Sequence, residues 1–215
     1  MALLRKLFWL LLGVLVVVNA LAAFRYLLPH VPFPAEISNV TQRRIALSIH
    51  AFGGAIALLA GPLQFLPPFR ERSWSRHRIL GWIYCGAVLL GWCASLWIAP
   101  HAQTGRVASA GFLSLGTAWI LTTGLAVNFI LRGDVVRHRR WMLRSYLLTA
   151  AAITLRIYLP ITLALHWPYS TAYPAIAWLC WIPNALAAEV YLHFVPTPSR
   201  IALPPNLANS SPQLR

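Results

Sequence analysis

Six runs of mostly apolar residues, separated by five loops of which the first four carry arginine, constrain this chain more than any other feature. A helix that crosses the hydrocarbon core of a bilayer needs about 20 such residues. The runs are Leu7–Phe24, Arg44–Leu66, Ile79–Ile98, Val107–Leu131, Met142–Leu163 and Ala172–Tyr191. No water reaches the hydrocarbon core to satisfy backbone groups, so each run must be helical. The pattern predicts an all-α, polytopic membrane protein with a four-helix core built from spans two to five. One transmembrane domain is expected over residues 1–195, with its core at 44–163. The Pro-, Asn- and Ser-rich stretch 196–215 is expected to be a disordered cytoplasmic tail. Span six contains Pro174, Pro183, Asn184 and Glu189 and is expected to be bent or broken. Span one has a second reading as a cleaved signal peptide, because Arg5 and Lys6 precede it and Ala20-Leu21-Ala22 resembles a cleavage site. The run continues past that site towards Tyr26, which favours an anchor.

Composition supports the membrane reading. Charged residues make up 10% of the chain, against about 25% in soluble domains. A formal charge of +14 would point to nucleic acid in a soluble protein. Here the basic residues lie between apolar runs, so they read as a topology signal; the bilayer is the expected partner and nucleic acid is not. One side holds Arg5, Lys6, Arg70, Arg72, Arg76, Arg78, Arg132, Arg137, Arg139, Arg140, Arg144, Arg200 and Arg215. The other holds Arg25, Arg43, Arg44 and Arg106. That bias places both termini in the cytoplasm of an inner-membrane, multi-pass protein. Cys85, Cys93 and Cys180 lie in apolar runs without a CxxC motif, which excludes c-type haem attachment and zinc ribbons.

A weak internal repeat pairs spans two and three with spans four and five. Each pair is joined by a basic loop whose His-Arg step opens the next helix, at His77-Arg78 and His138-Arg139, and a Tyr follows at Tyr84 and Tyr146. Helical period puts His50, Gly53, Ala57, Gly61 and Gln64 on one stripe of span two. Small residues at that spacing let another backbone, or a flat ligand, approach closely. Spans three and five carry similar stripes, so these faces are expected to point inward.

His77 and His138 occupy matched places in the repeat, at one depth, on inward faces. Neutral imidazoles so placed suit the iron of haem b, bound by one histidine from each of two helices. Arg76, Arg78, Arg137, Arg139 and Arg140 at the inner edge are candidates to neutralise its propionates, Arg78 and Arg139 foremost. Zinc fits less well, since no Cys or acid lies near. His50 lies about 9 Å inside the outer edge, and Arg156 has a similar depth. A charge so deep in a span is costly unless paired or hydrated. Arg156 therefore reads either as a snorkelling anchor or as the counter-ion of an anionic group. It is expected to meet His50 in a polar cavity in the outer half, walled on span four by Ser114 or Thr117. Glu189, the sole acid in a span, is expected to pair with the basic loops, and Asp134 reads as a turn residue after Gly133.

The segment from His50 through Gly61, Gln64 and His77 to Tyr84, and the segment Arg137 to Tyr146 followed by Thr154-Leu155-Arg156, resemble a bacterial membrane-protein family known as domain of unknown function 2306. The resemblance covers about residues 45–160 and implies no established activity. A more distant likeness is to di-haem transmembrane cytochromes b of the ascorbate-reducible type. These place one His on each of four core helices and pair the first with the third and the second with the fourth. That likeness implies His77 and His138 as the iron ligands of an inner haem and His50 in an outer pair. Span four has no His, so His101, six residues before it, is the remaining candidate. The expected function is haem b binding for transmembrane electron transfer, a membrane oxidoreductase with an unidentified redox partner. The alternatives are a non-haem protein that binds an anionic lipid or small anion through its arginines, and an assembly factor for a respiratory complex.

Overall fold

A computed structural model describes residues 2–28, 43–66 and 73–194. The expected tail at 196–215, and His30, Arg70 and Arg72, lie outside the described residues. All regular structure among the described residues is helical: α1 Ala2–Phe24, α2 Arg44–Phe65, α3 Trp74–Ile98, α4 Arg106–Leu131, α5 Val135–Thr149, α6 Ala151–Ala164, α7 Tyr169–Leu179 and α8 Ile182–Phe194. Helices α5 and α6 together make the fifth span, and α7 with α8 the sixth. Six segments are long and apolar enough to cross a membrane.

Helices α3 and α5 begin five and seven residues before their apolar runs, because capping residues start them in the basic loops. The Ser73 hydroxyl accepts from the backbone N–H of Arg76 at 3.4 Å. Asp134 Oδ1 accepts from that of Arg137 at 2.8 Å. An oxygen at this position satisfies an N–H that the first turn leaves open. Asp134 is thus a helix cap, and its carboxylate also pairs with the Arg137 guanidinium at 2.6 Å. His77 and His138 therefore sit in the first turns of α3 and α5, as the repeat predicted.

Span six breaks at Cys180–Trp181, as its prolines foreshadowed. Pro183 has no N–H to continue the helix. The Asn184 side chain compensates, donating to the Cys180 carbonyl at 3.2 Å and to Thr154 Oγ1 at 2.9 Å. Span five, expected as one helix, breaks at Ala150. There Thr149 and Thr154 donate back to the carbonyls of Ser145 and Ala150 at 3.0 and 3.2 Å, a bond pattern that bends helices.

Contacts α2–α3, α3–α4, α4–α5 and α2–α5 close the expected four-helix core. Helix α1 packs on α2 and α6, α7 on α4 and α6, and α8 on α5. Tyr84, Val88, Ala57, Trp119, Ala126 and Tyr146 fill the centre. The small-residue stripe of α2 is consumed by helix packing. A Cβ on Gly53 would lie 2.6 Å from the carbonyl oxygen of Ala87, and one on Gly61 would strike the Tyr146 ring. Leu21, Trp82, Leu89, Trp97, Leu121 and Val190 are exposed on the outside, the surface a bilayer would cover. The cysteines are free thiols and Cys180 is fully buried.

Glu189 pairs with Arg144, whose Nε and Nη2 reach its two oxygens at 2.6 and 2.8 Å. This two-pronged contact ties α8 to α5, in line with the expected pairing to the basic loops.

Candidate functional site

The close approach of α2 and α3 at Gly53 brings the His50 ring onto α3. His50 Nδ1 lies 2.9 Å from the carbonyl oxygen of Gly91. A carbonyl oxygen only accepts, so Nδ1 carries the proton and donates, and Nε2 is the remaining polar atom of the ring. The neighbouring face of Gly91 is taken by the indole of Trp119, whose ring atoms would lie 3.1 Å from a Cβ there.

His50 is part of the wall of a cavity of about 310 Å³. That volume is at the lower end of the ~300–1,000 Å³ typical of small-molecule sites. All six spans contribute to the lining. Arg43, His101 and Gln103 lie at the end where the chain enters span two and passes from span three to span four. Deeper in are Asn19, His50, Ser95 and Arg156. Their depths agree: Asn19, His50 and Arg156 lie five to eight residues from the ends of their helices, about 8–12 Å. Arg156 turns inward, with Nη1 donating to the Ala152 carbonyl at 2.9 Å. Beyond this belt the wall is apolar, made by Leu58, Leu115, Leu148 and Cys180, and the far end holds Trp119 and Thr149. No Asp or Glu lines the cavity among the described residues.

The far end rests on a buried hydroxyl network. Thr149 Oγ1 accepts from Trp119 Nε1 at 2.8 Å and lies 2.9 Å from the Tyr84 hydroxyl. Tyr84 also lies 2.7 Å from Ser145 Oγ, which in turn is 2.7 Å from Thr123 Oγ1. Because Thr149 donates to the Ser145 carbonyl at 3.0 Å, Tyr84 must donate to Thr149. Thr123 donates to the Trp119 carbonyl at 2.8 Å, so Ser145 Oγ has a single proton for its two neighbours, Tyr84 and Thr123. Five side chains from α3, α4 and α5 are joined where lipid offers no substitute partner.

The residues expected from sequence fall in two groups. His50, Arg156 and His101 meet at the cavity. His101 is exposed at its mouth, with Nδ1 3.2 Å from the Trp97 carbonyl. His77 and His138 do not line it. His138 is half-buried and donates from Nδ1 to the Ala126 carbonyl of α4 at 2.9 Å. His77 is half-buried, edge-on to Trp74, and its carbonyl accepts from Gln64 at 3.1 Å. Arg78 is exposed and Arg139 half-buried at that same end. The cavity wall on α4 corrects one expectation: Phe112, Leu115, Gly116 and Trp119 form it, not Ser114 or Thr117. Thr117 is exposed and satisfies its hydroxyl on its own Leu113 carbonyl at 2.8 Å. Sequence reading passed over Asn19, although a lone amide in an apolar span is a marker of an inward-facing site. It also passed over Arg43, Trp119 and Thr123.

No curated protein and no solved structure matches this chain. The model of a family described as predicted membrane proteins, DUF2306, matches residues 47–192, which include α3 to α7 whole and most of α2 and α8, and the chain belongs to that family.

Proposed function

We propose that this protein binds a small amphipathic anion in the central cavity, with the charged head at the belt of Arg156, His50 and Asn19 and the apolar body towards Trp119. One observation carries the reading. Arg43 and Arg156 both line the cavity, and no described carboxylate does. An uncompensated guanidinium within a span is costly unless an anion or water meets it. A planar fork of N–H donors suits a carboxylate or phosphate. The apolar far wall excludes a bare inorganic ion as the best fit, since Leu58, Leu115 and Leu148 would then face empty space. The loop-charge bias orients the mouth away from the cytoplasm of an inner membrane.

The test is equilibrium binding of dodecanoate to the protein in nanodiscs. Saturable binding that dodecanol does not compete is expected. Arg156→Leu should weaken it about tenfold or more, because bonds to charged groups contribute ~1.5–3 kcal/mol. Equal affinity for the acid and the alcohol would refute the reading.

Haem b remains a second reading, favoured by a specific feature of His50 and His138. Each ties Nδ1 to a backbone carbonyl of a neighbouring helix, at 2.9 Å in both cases. Such a bond fixes the tautomer that leaves Nε2 for a metal. His77 and His138 would hold the inner iron, His50 with His101 an outer one, and Arg78 and Arg139 the propionates. Bound haem would supply one-electron transfer. A reduced-minus-oxidised spectrum of the purified protein decides, and absence of a haem b band would end this reading.

A further inference from the structure

Asn19 is 6% exposed and lines the cavity. Its Nδ2 donates to the Leu15 carbonyl of its own helix at 2.8 Å. A carbonyl oxygen can only accept, so this bond fixes which end of the amide is nitrogen. Oδ1 is therefore the end of the amide that this bond leaves over. It is buried and has no hydrogen-bond partner. A buried acceptor without a donor is a cost that a native structure normally relieves through a bound group.

His50 adds a second acceptor at the same depth. With Nδ1 donating to the Gly91 carbonyl, the neutral ring presents Nε2 as a lone pair. Arg156 lines the same cavity and provides donors. A plain carboxylate or phosphate has acceptors only. It would satisfy Arg156 and leave Asn19 Oδ1 facing another oxygen.

Resting on the cavity as an anion site, we infer that its ligand is a hydroxylated amphipathic acid: a carboxylate for Arg156, a hydroxyl close to that charge for Asn19 Oδ1, and an apolar chain directed at Trp119. The hydroxyl distinguishes this ligand class from simple fatty acids and from the acyl chains of the surrounding bilayer. Asn19 is then the residue that sets specificity, while Arg156 sets affinity for the charge.

The test compares three probes on the protein in nanodiscs: dodecanoate, β-hydroxydodecanoate and β-methoxydodecanoate. The hydroxy acid should bind about three- to tenfold more tightly than either of the others, the worth of one buried hydrogen bond. In Asn19→Leu the ratio of hydroxy-acid to dodecanoate affinity should fall to about one, whatever the change in dodecanoate affinity itself. Equal binding of all three acids to the wild type would overturn the inference, as expected if a water satisfies Oδ1, yet leave the anion site standing. A preference that survives in Asn19→Leu would overturn the role of Asn19. Failure of all three acids to bind would overturn the anion site as well. The methoxy probe decides on the wild-type protein alone, so the result does not depend on the variant folding.

Discussion

His50 Nδ1 and the carbonyl oxygen of Gly91 lie 2.9 Å apart, though 41 residues separate them in the chain. The bond exists because two glycines remove side chains from the α2–α3 contact. Gly53 lets the Ala87–Gly91 backbone approach, and Gly91 gives room to the Trp119 ring. Packing of three helices thus fixes the orientation of one imidazole, and with it which nitrogen is left over as an acceptor.

Gly53→Ala should therefore damage both stability and site. The added Cβ would sit 2.6 Å from the Ala87 oxygen and 2.9 Å from the Gly91 nitrogen, both backbone atoms that cannot rotate away. Overpacking of this kind costs ~1–3 kcal/mol. Gly54→Ala is the control, since a Cβ there meets nothing within 4 Å. It removes a helix-disfavouring glycine, a gain of up to about 1 kcal/mol. Thermal melting in detergent should rank Gly54→Ala at or above wild type and Gly53→Ala below it. Identical melting of the two variants would contradict the close approach.

Tyr84→Phe removes the hydroxyl that joins Ser145 to Thr149. The ring still fills its fully buried place, so no cavity forms. Ser145 loses a partner and Thr149 a donor. Interhelical bonds in membranes average below 1 kcal/mol each, while orphaned buried groups cost ~1–3 kcal/mol. A net loss of about 1–2 kcal/mol is expected in reversible unfolding from mixed micelles. A loss near zero would mean that the two hydroxyls find each other directly once Tyr84 is gone.

The six spans, the four-helix core and the meeting of His50 with Arg156 were legible in the sequence. Length, hydropathy and helical period carry that information directly. The break at Ala150 was not legible, because neither Pro nor Gly marks it. It arises from threonine hydroxyls that bond back to the helix, and threonines are common in spans that do not bend. The wall on α4 was misread for a different reason. Polar residues were expected inside, yet the small residues decide how α4 is rotated. Gly111 sits under the Ala177 backbone and Gly116 under Ser95, so Thr117 faces outward and bonds to its own helix. Asn19 was legible in principle, as the amide in an otherwise apolar span.

Asp134 gives the protein an acid-sensitive contact outside the spans. The backbone N–H of Arg137 holds its carboxyl below the ordinary 3.8, with help from the Arg137 guanidinium. A depressed folded-state value means the stabilisation is present above the unfolded value and is lost as pH falls through the folded one. Asp134→Asn keeps a capping oxygen but cannot ionise. Wild type should therefore melt above Asp134→Asn at neutral pH, and the gap should close below about pH 4. A gap that is constant across this range would show that the charge of Asp134 contributes nothing.

Orientation decides which pool of ligand the cavity can reach. Arg76, Arg78, Arg137 and Arg140 lie at the end of the bundle where α3 and α5 begin. Arg43 and His101 lie at the opposite end, by the cavity mouth. Basic residues in short loops hold their side of the membrane in the cytoplasm. Reporter fusions at His101 and Thr171 should therefore be active only when exported, and a fusion at Arg137 only when retained in the cytoplasm. Arg137 is the most informative position. It follows four complete spans, so its location depends on the whole arginine pattern and not on span one alone. The opposite pattern would turn the mouth to the cytoplasm. Arg43, Arg156 and Asn19 would then meet a ligand made inside the cell, and uptake from outside would have no effect on occupancy.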